Sequence, residues 1–179
     1  MKVWFTADHH FGHGNIIGFC RRPFADSFAM DEALVSRWNE VVGHEDEVWH
    51  LGDFAYRCDP HRIACLFDRL HGRTKHLITG HHDRRHTLQL PWTSTRPYAE
   101  IMIDKIPIIL FHYALRDWSR SRYGAWNLHG QGHGRLPPAG RSCDVGVDAW
   151  EYRPISFEQI VAARLNMGLR SEQPHAIRS

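Results

Sequence analysis

The chain begins MKVWFTADHH (residues 1–10), where a β-rich apolar segment runs up to Asp8. Such a segment predicts a short strand that is followed by a polar loop. The segment Glu47 to Leu51 predicts a second strand, and it ends in the same way, at Gly52-Asp53. Strands that end at aspartates predict polar clusters at the carboxyl edge of a sheet.

Three further apolar segments end at a glycine or a histidine. They are Lys75 to Thr79 before Gly80, Ile108 to Phe111 before His112, and Trp126 to His129 before Gly130. Between the strands, apolar residues recur at helical spacing from Met30 to Val42, and from Ile63 to Leu70 after the N-cap pair Asp59-Pro60. This alternation predicts an α/β fold, in which ligands bind outside the carboxyl ends of the strands.

The second half of the chain predicts a second sheet. Segments 99–104, 106–111, 127–129 and 144–148 are rich in strand-forming residues and have no long helix between them. A capping box at Ser156-Phe-Glu-Gln159 predicts a third helix that ends at Gly168. We therefore expect one domain over residues 1–168 and a frayed tail over residues 169–179.

The composition is that of a globular protein with an unusual number of histidines. Hydrophobic residues make up 42% of the 179 residues and charged residues 23%, which excludes a disordered or low-complexity chain. A net charge of +2 is too small for the strong positive field of a typical nucleic-acid-binding domain. The fifteen histidines, by contrast, indicate metal chemistry.

The cysteine spacing and the hydropathy predict a reduced, cytoplasmic protein. Cys20, Cys58, Cys65 and Cys143 lie far apart and form no Cys-x-x-Cys pair, so we expect reduced core thiols rather than a zinc ribbon or a disulfide framework. Because Met1 and Lys2 lead straight into a strand-like segment, we do not expect secretion by a standard signal. Its most apolar segment, Ile106 to Phe111, is too short to span a membrane, and we expect no membrane partner.

Carboxylates and imidazoles dominate the five strand ends. In chain order, the clusters are Asp8-His9-His10, Gly52-Asp53, Gly80-His81-His82-Asp83, His112 and Gly130-Gln131-Gly132-His133. Alternate residues at a strand end point to the same side, so Asp8 and His10 can reach a common ion, as can Gln131 and His133. Mixed nitrogen and oxygen ligands suit manganese, iron or zinc, and these residues are enough for two metal ions.

In this order, the five clusters resemble the calcineurin-like metallophosphoesterases. That family has Asp-x-His, Gly-Asp, Gly-Asn-His-Asp/Glu, His and Gly-His-x-His along the chain. The segments Asp8 to His13 with Asn15, Leu51 to Phe54, and Asp144 to Trp150 followed by Pro154-Ile-Ser156 are similar to a small, cap-less bacterial or phage branch. The resemblance implies a two-sheet αββα sandwich with an open site and two divalent metal ions, manganese, iron or zinc.

The resemblance also implies a role for each matched residue. The first metal ion would be held by Asp8, His10, Asp53 and His133, and Asp53 would bridge to a second ion held also by His81, His112 and Gln131. A metal-activated hydroxide would attack a phosphodiester or a nucleotide-type phosphate ester. His82 would be the catalytic histidine, with Asp83 as its partner, and would protonate the leaving group.

Two positions depart from the family pattern, and both belong to the second metal site. Position 81 is His where the family has Asn, and position 131 is Gln where the family has the first His of Gly-His-x-His. The exchanges compensate in type, because one carboxylate, two imidazoles and one amide oxygen remain. An imidazole at position 81 reaches differently from an amide, so we expect the affinity or metal preference of the second site to differ from the family's.

Several residues outside the metal clusters are candidates for contact with a substrate. We expect His13, Arg22 and Arg84 to lie near the phosphate ester, since imidazole and guanidinium groups bind phosphate oxygens. Trp118, Tyr123 and Trp126 alternate with arginines, a mixture that can stack the bases of a single strand or form part of the core. A nucleotide or a nucleic acid is therefore a candidate partner.

Two other interpretations remain open. His81-His82-Asp83 is also compatible with the His-Asp pair of an all-helical HD phosphohydrolase, although it follows a β-branched segment and Gly80 rather than a helix. The chain is also compatible with a nucleic-acid-binding or structural module that retains one metal ion after degeneration of the second site. The presence of His82 and Asp53 favours an enzyme.

Overall fold

Two β-sheets form the centre of the fold in this computed structural model, which describes residues 1–137 and 139–166. The first sheet has five strands in the order β4-β3-β2-β1-β9. They are β1 (Val3–Thr6), β2 (Glu47–His50), β3 (Thr74–Ile78), β4 (Ser94–Arg96) and β9 (Ile155–Ser156). Strands β1 to β4 run parallel, and β9 pairs antiparallel with β1. The parallel strands therefore bring their carboxyl ends to one edge.

The second sheet has four strands in the order β5-β6-β7-β8. They are β5 (Tyr98–Ile103), β6 (Ile106–Phe111), β7 (Trp126–His129) and β8 (Ser142–Asp144). Strands β6, β7 and β8 run parallel, and β5 pairs antiparallel with β6. The two sheets, flanked by helices, confirm the predicted two-sheet α/β sandwich.

The strand predicted over 144–148 is wrong beyond its first residue. The chain leaves the second sheet there: the N–H of Val145 still bonds to the carbonyl of His129, but the N–H of Val147 bonds to the carbonyl of Ala7 in the first sheet. A short 3₁₀ turn, Val147–Ala149, follows. This crossing brings the segment against the end of β1, next to the predicted site.

In the described part of the chain, five α-helices accompany the sheets: α1 (Gly14–Cys20), α2 (Ser27–Val41), α3 (Pro60–Arg69), α4 (Arg85–Leu88) and α5 (Phe157–Asn166). The predicted caps are present, because the Asp59 carboxylate accepts the N–H groups of His61 and Arg62 at the start of α3. The capping box of α5 is also present, with reciprocal bonds between Ser156 and Gln159. The end predicted for α5 at Gly168 and the tail predicted over 169–179 lie outside the described residues.

Two apolar clusters hold these layers together. One packs α2 and α3 on the outer face of the first sheet, with Trp38 fully buried beside Met30, Leu34 and Phe67. The other lies between the two sheets and includes Phe5, Leu110 and Phe157. Trp126 belongs to this inner cluster, whereas Tyr123 is 85% exposed and therefore not part of the core.

The cysteines match the prediction of core thiols only in part. All four are free of disulfides, but only Cys143 is buried, whereas Cys65 is exposed on α3 and Cys20 and Cys58 are half-buried. Position 65 falls on the solvent side of the helix because its apolar face is set by Ile63, Leu66 and Phe67. Within the part of the chain that the structure describes, no helix has the length and apolarity that crossing a membrane requires.

Candidate metal centre and active site

The predicted site residues meet where the carboxyl ends of the two sheets come together. Asp8 follows β1, Asp53 follows β2, and His81 to Asp83 follow β3 of the first sheet. His112 follows β6 of the second sheet, and its Nδ1 lies 2.7 Å from the carbonyl oxygen of Leu51 at the end of β2. This hydrogen bond ties the two sheets together at the site.

The backbone turns sharply at most of the predicted metal ligands. Asp8, His10, Asp53, Gln131 and His133 all have positive φ, between 49° and 61°. A left-handed conformation is unfavourable for residues other than glycine and persists only where the surroundings enforce it. Here backbone bonds enforce it: the N–H of Asp8 binds the carbonyl of Gly52, and the N–H of His10 binds that of Asp53. The strain is concentrated at residues whose side chains converge.

The first group of converging side chains contains Asp8, His10 and His133, whose candidate ligand atoms lie within 4.8 Å of one another. Asp8 and His10 are almost completely buried. Both carboxylate oxygens of Asp8 and the Nε2 atom of His10 are buried without a hydrogen-bond partner. Asp53 Oδ2 lies 3.8 Å from His10 Nε2 and adds a fourth candidate ligand.

The second group contains Asp53, His81 and His112, again within 4.8 Å of one another. Asp53 Oδ2 lies 3.2 Å from Nδ1 of His81 and 3.5 Å from Nε2 of His112. Gln131 joins the group, because its Oε1 lies 3.0 Å from Nε2 of His112. The two residues that depart from the family pattern are therefore both at the second group.

These donors fit divalent metal ions. Buried charged atoms that nothing in the protein satisfies are costly, and a cation is the usual compensation. Asp53 Oδ2, which is buried without a hydrogen-bond partner, faces both groups. A carboxylate oxygen in that position, surrounded by imidazole nitrogens, matches the ligand preferences of manganese, iron or zinc.

The two aspartates have opposite pKa shifts. Burial raises the pKa of Asp8 to about 7. Burial also acts to raise the pKa of Asp53, but the contact with His112 and the bond from the His82 N–H outweigh it, so the net shift is downward. Asp53 is thus ionised at neutral pH, whereas Asp8 is close to its midpoint.

Two of the histidines are strong bases in the metal-free protein. For His112, burial lowers the pKa, but the contact with Asp53 and the charges of Asp53 and Asp8 raise it overall to about 9. For His133, burial is likewise outweighed by the bond to Asp148, and the pKa rises to about 10. His10 behaves differently, because burial lowers its pKa to about 2. Protons on His112 and His133 therefore balance the aspartates in the metal-free site.

His82 lies beside the first group, but Asp83 does not orient its ring. The His82 ring centre is 5.3 Å from that of His10, and its backbone N–H donates to Asp53 Oδ1. The two oxygens of buried Asp83 accept instead the N–H groups of Asp53, Phe54 and Gly80 at 2.8–2.9 Å. We correct the prediction accordingly: Asp83 positions the loop that carries Asp53.

The three candidate substrate contacts occupy different places. His13 is at the site, because its Nδ1 lies 3.2 Å from Nδ1 of His10 and its ring is near that of His82. Arg84 is exposed, directly after the His82-Asp83 segment. Arg22 is buried, and its guanidinium binds Asp148 and the backbone. This burial contradicts the prediction of a substrate contact for Arg22.

Three features of the site were not predicted. The Tyr56 ring packs 4.4 Å from that of His13 and 4.5 Å from that of His82, between centroids. His9 faces the interior and bonds to His50 at 2.9 Å. The Asp148 carboxylate lies 2.7 Å from Nδ1 of His133. His9 and Asp148 had a signal in the sequence, since His9 belongs to the first polar cluster and Asp148 lies in the segment from Asp144 to Trp150 that resembles the family.

The chain is similar to three known proteins. The chain is 28% identical to an uncharacterized protein of Methanocaldococcus jannaschii, with 89% of each covered. It is 30% identical to the gene 66 protein of Mycobacterium phage D29, with 83% of this chain and 89% of that protein covered. In structure it is similar to a protein of unknown function from Aquifex aeolicus, with a TM-score of 0.72 at 22% identity over 90% of this chain and 98% of that one.

The family itself is shown by a match over most of the chain. The model described as "Calcineurin-like phosphoesterase" matches residues 1–158, which include every predicted site residue. This match supports a hydrolase that acts on phosphate esters. The chain therefore belongs to the calcineurin-like phosphoesterase family.

Proposed function

We propose that this protein is a dinuclear metal-dependent phosphoesterase that hydrolyses a phosphodiester or a nucleotide-type phosphate ester. One observation carries the proposal: Asp8 Oδ1 and Oδ2, Asp53 Oδ2 and His10 Nε2 are buried and lack hydrogen-bond partners, and His10 converges with Asp8 in one group of candidate ligands and with Asp53 in another. Burying such atoms together without hydrogen-bond partners is energetically costly unless a cation binds them.

The assignment of ligands follows from the two converging groups. Asp8, His10, Asp53 and His133 would hold one ion, and Asp53, His81, His112 and Gln131 would hold the other. Asp53 supports this division, because its Oδ2 faces His10 on one side and His81 and His112 on the other. Two divalent ions in such sites lower the pKa of a shared water and offset the charge of a phosphate group.

His82 is the proposed general acid for the leaving group. Its ring is half-buried beside the site, and its backbone bond to Asp53 fixes its loop. Burial lowers the pKa of His82, so its protonated form is a stronger acid than an ordinary imidazolium. Such a group can deliver a proton to an alkoxide that would otherwise leave slowly.

Residues near His82 support an organic phosphate ester as the substrate. The rings of Tyr56 and His13 lie beside His82, and Arg57 lies 5.2 Å over the Tyr56 ring. Exposed Arg84 adds a positive charge that acts on His82. An aromatic surface flanked by guanidinium groups suits a base attached to a phosphate.

The test is hydrolysis of a chromogenic phosphodiester and of the matching monoester by metal-stripped protein reloaded with manganese. We expect activity that requires the metal, that a chelator abolishes and that Asp53→Asn lacks. The matched control is Asp68→Asn, which removes an exposed carboxylate on α3, the helix on the outer face of the first sheet. This variant should retain the wild-type rate.

Two results would contradict the proposal. Equal hydrolysis by Asp53→Asn and wild-type protein would place the activity elsewhere. No turnover with manganese, zinc or iron, in protein that binds one ion only, would favour the alternative of a binding or structural module with a degenerate second site. If metal does restore activity, the ratio of the diester rate to the monoester rate indicates the substrate class.

A further inference from the structure

The buried pair of Arg22 and Asp148 contacts two residues of the first group, Asp8 and His133. Two parallel bonds join them, from Arg22 Nε and Nη2 to the two oxygens of Asp148, each 2.8 Å long. The Arg22 side chain has no solvent exposure, and that of Asp148 has 6%. A buried pair of this kind contributes little net stability, because desolvation offsets the attraction. Its placement therefore calls for another explanation.

Asp148 also binds a proposed metal ligand. Its Oδ2 lies 2.7 Å from Nδ1 of His133. An ionised carboxylate only accepts hydrogen bonds, so Nδ1 of His133 must carry the proton. In the neutral imidazole this leaves the lone pair on Nε2. Asp148 thereby selects the tautomer that can bind a metal ion through Nε2.

Arg22 connects Asp148 to the backbone at Asp8, another residue of the first group. Its Nη2 donates to the carbonyl oxygen of Asp8 at 2.7 Å, and its Nη1 donates to that of His9 at 2.9 Å. These carbonyls belong to the strained turn that carries Asp8, whose φ is 59°. The Arg22 guanidinium thus contacts the backbone of Asp8 directly and is linked to His133 through Asp148. These two proposed ligands lie far apart in the sequence.

We propose that Arg22 and Asp148 are positioning residues that set the orientation of Asp8 and His133 and so the affinity of the first metal site. This inference rests on the proposed function only in that the site binds a metal ion. It assigns a role to two residues that are not themselves metal ligands. It also explains why an arginine in the first third of the chain is buried instead of facing a substrate.

The test is a calorimetric titration of Asp148→Asn and of Arg22→Lys with manganese. Both are made in a His81→Ala background, which removes a partly exposed ligand of the second site so that the first site is measured alone. Asn keeps the shape of Asp148 but loses its charge, and Lys keeps the charge of Arg22 but loses the two-pronged geometry. We expect each variant to bind manganese about 10- to 100-fold more weakly.

A second readout separates positioning from a general loss of structure. Nitrogen-15 NMR of the metal-free protein should show a proton on Nδ1 of His133 that its bond to Asp148 protects from exchange in the background protein, and a rapidly exchanging one in Asp148→Asn. The matched control is Glu32→Gln. It breaks another bidentate pair, made by Nη1 and Nη2 of Arg69 at 2.7 Å on both arms, that is exposed between α2 and α3. Its manganese affinity should not change.

Unchanged affinity in folded Asp148→Asn, or an equal loss in Glu32→Gln, would overturn the inference. An Nδ1 proton of His133 that stays equally protected in Asp148→Asn would do the same. Thermal melting of the metal-free variants establishes that they are folded at the temperature of the titration. Because no substrate is used, failure of the proposed phosphoesterase activity would leave this result intact, and the reverse also holds.

Discussion

Metal binding at this site should release protons in a number that the structure predicts. His112 has a pKa of about 9 and His133 of about 10, so both imidazoles are protonated at pH 7. Burial raises the pKa of Asp8 to about 7, so this carboxyl is partly protonated at pH 7. His10, with a pKa of about 2, is not protonated. Each must be deprotonated to bind a metal ion, so filling both sites should release roughly two to three protons.

The same reasoning gives the sign of the pH dependence. Protons compete with the metal ions for His112 and His133. The apparent affinity for metal should therefore rise with pH and level off above pH 9 to 10, where both pKa values, about 9 and about 10, have been passed. Calorimetry of manganese binding at pH 7, in buffers of different ionisation enthalpy, counts the protons directly. His133→Asn should release about one proton fewer. The control is His44→Gln, at an exposed histidine.

Release of no protons at pH 7 would refute the reasoning, because it would mean that metal binding removes no proton from His112 or His133. An unchanged proton count in His133→Asn would exclude His133 as the source. An affinity that falls between pH 7 and 9 would have the wrong sign.

Three further predictions concern other parts of the site. His82→Ala should slow esters with poor leaving groups by about 10²- to 10⁴-fold and aryl esters much less, as measured by steady-state kinetics; equal losses would exclude a general acid. Asp83→Asn should lower the free energy of unfolding by about 2–4 kcal/mol in chemical denaturation, because a buried amide replaces an acceptor of three backbone N–H bonds; a change below 1 kcal/mol would contradict this. The metal-free protein should lose stability as pH rises from 6.5 through about 9, since the raised pKa of His112 stabilises the fold only while that group is protonated; a melting temperature that increases over this range would refute the sign.

Most of the strands and the edge where the site lies could be predicted, because strands that end at polar residues leave a local signature. The segments before Asp8, Gly52 and Gly80 form β1, β2 and β3 within one residue of the predicted ends. The short helices α1 and α4 were not predicted, since four to seven residues are too few to show a helical period. The segment 144–148 was misassigned because its pairing partner, Ala7, lies far away in the sequence.

The candidate site shows a similar division. The clusters identified candidate ligands because metal-binding residue types are rare in such density, and the structure brings these residues together. The roles of Asp83 and Arg22 could not be predicted, since both depend on backbone groups that only the folded chain presents. An aspartate beside a histidine is expected to pair with it, yet Asp83 binds three N–H groups of two loops instead. An arginine near the site is expected to face solvent, yet Arg22 is buried against Asp148.

The most direct test of the account is a crystal structure of manganese-loaded protein with anomalous diffraction data. Two anomalous peaks, both within coordination distance of Asp53, are predicted, one beside Asp8, His10 and His133 and the other beside His81 and His112. A single peak would contradict the dinuclear centre. Peaks that do not touch Asp53 would contradict the assignment of the site itself.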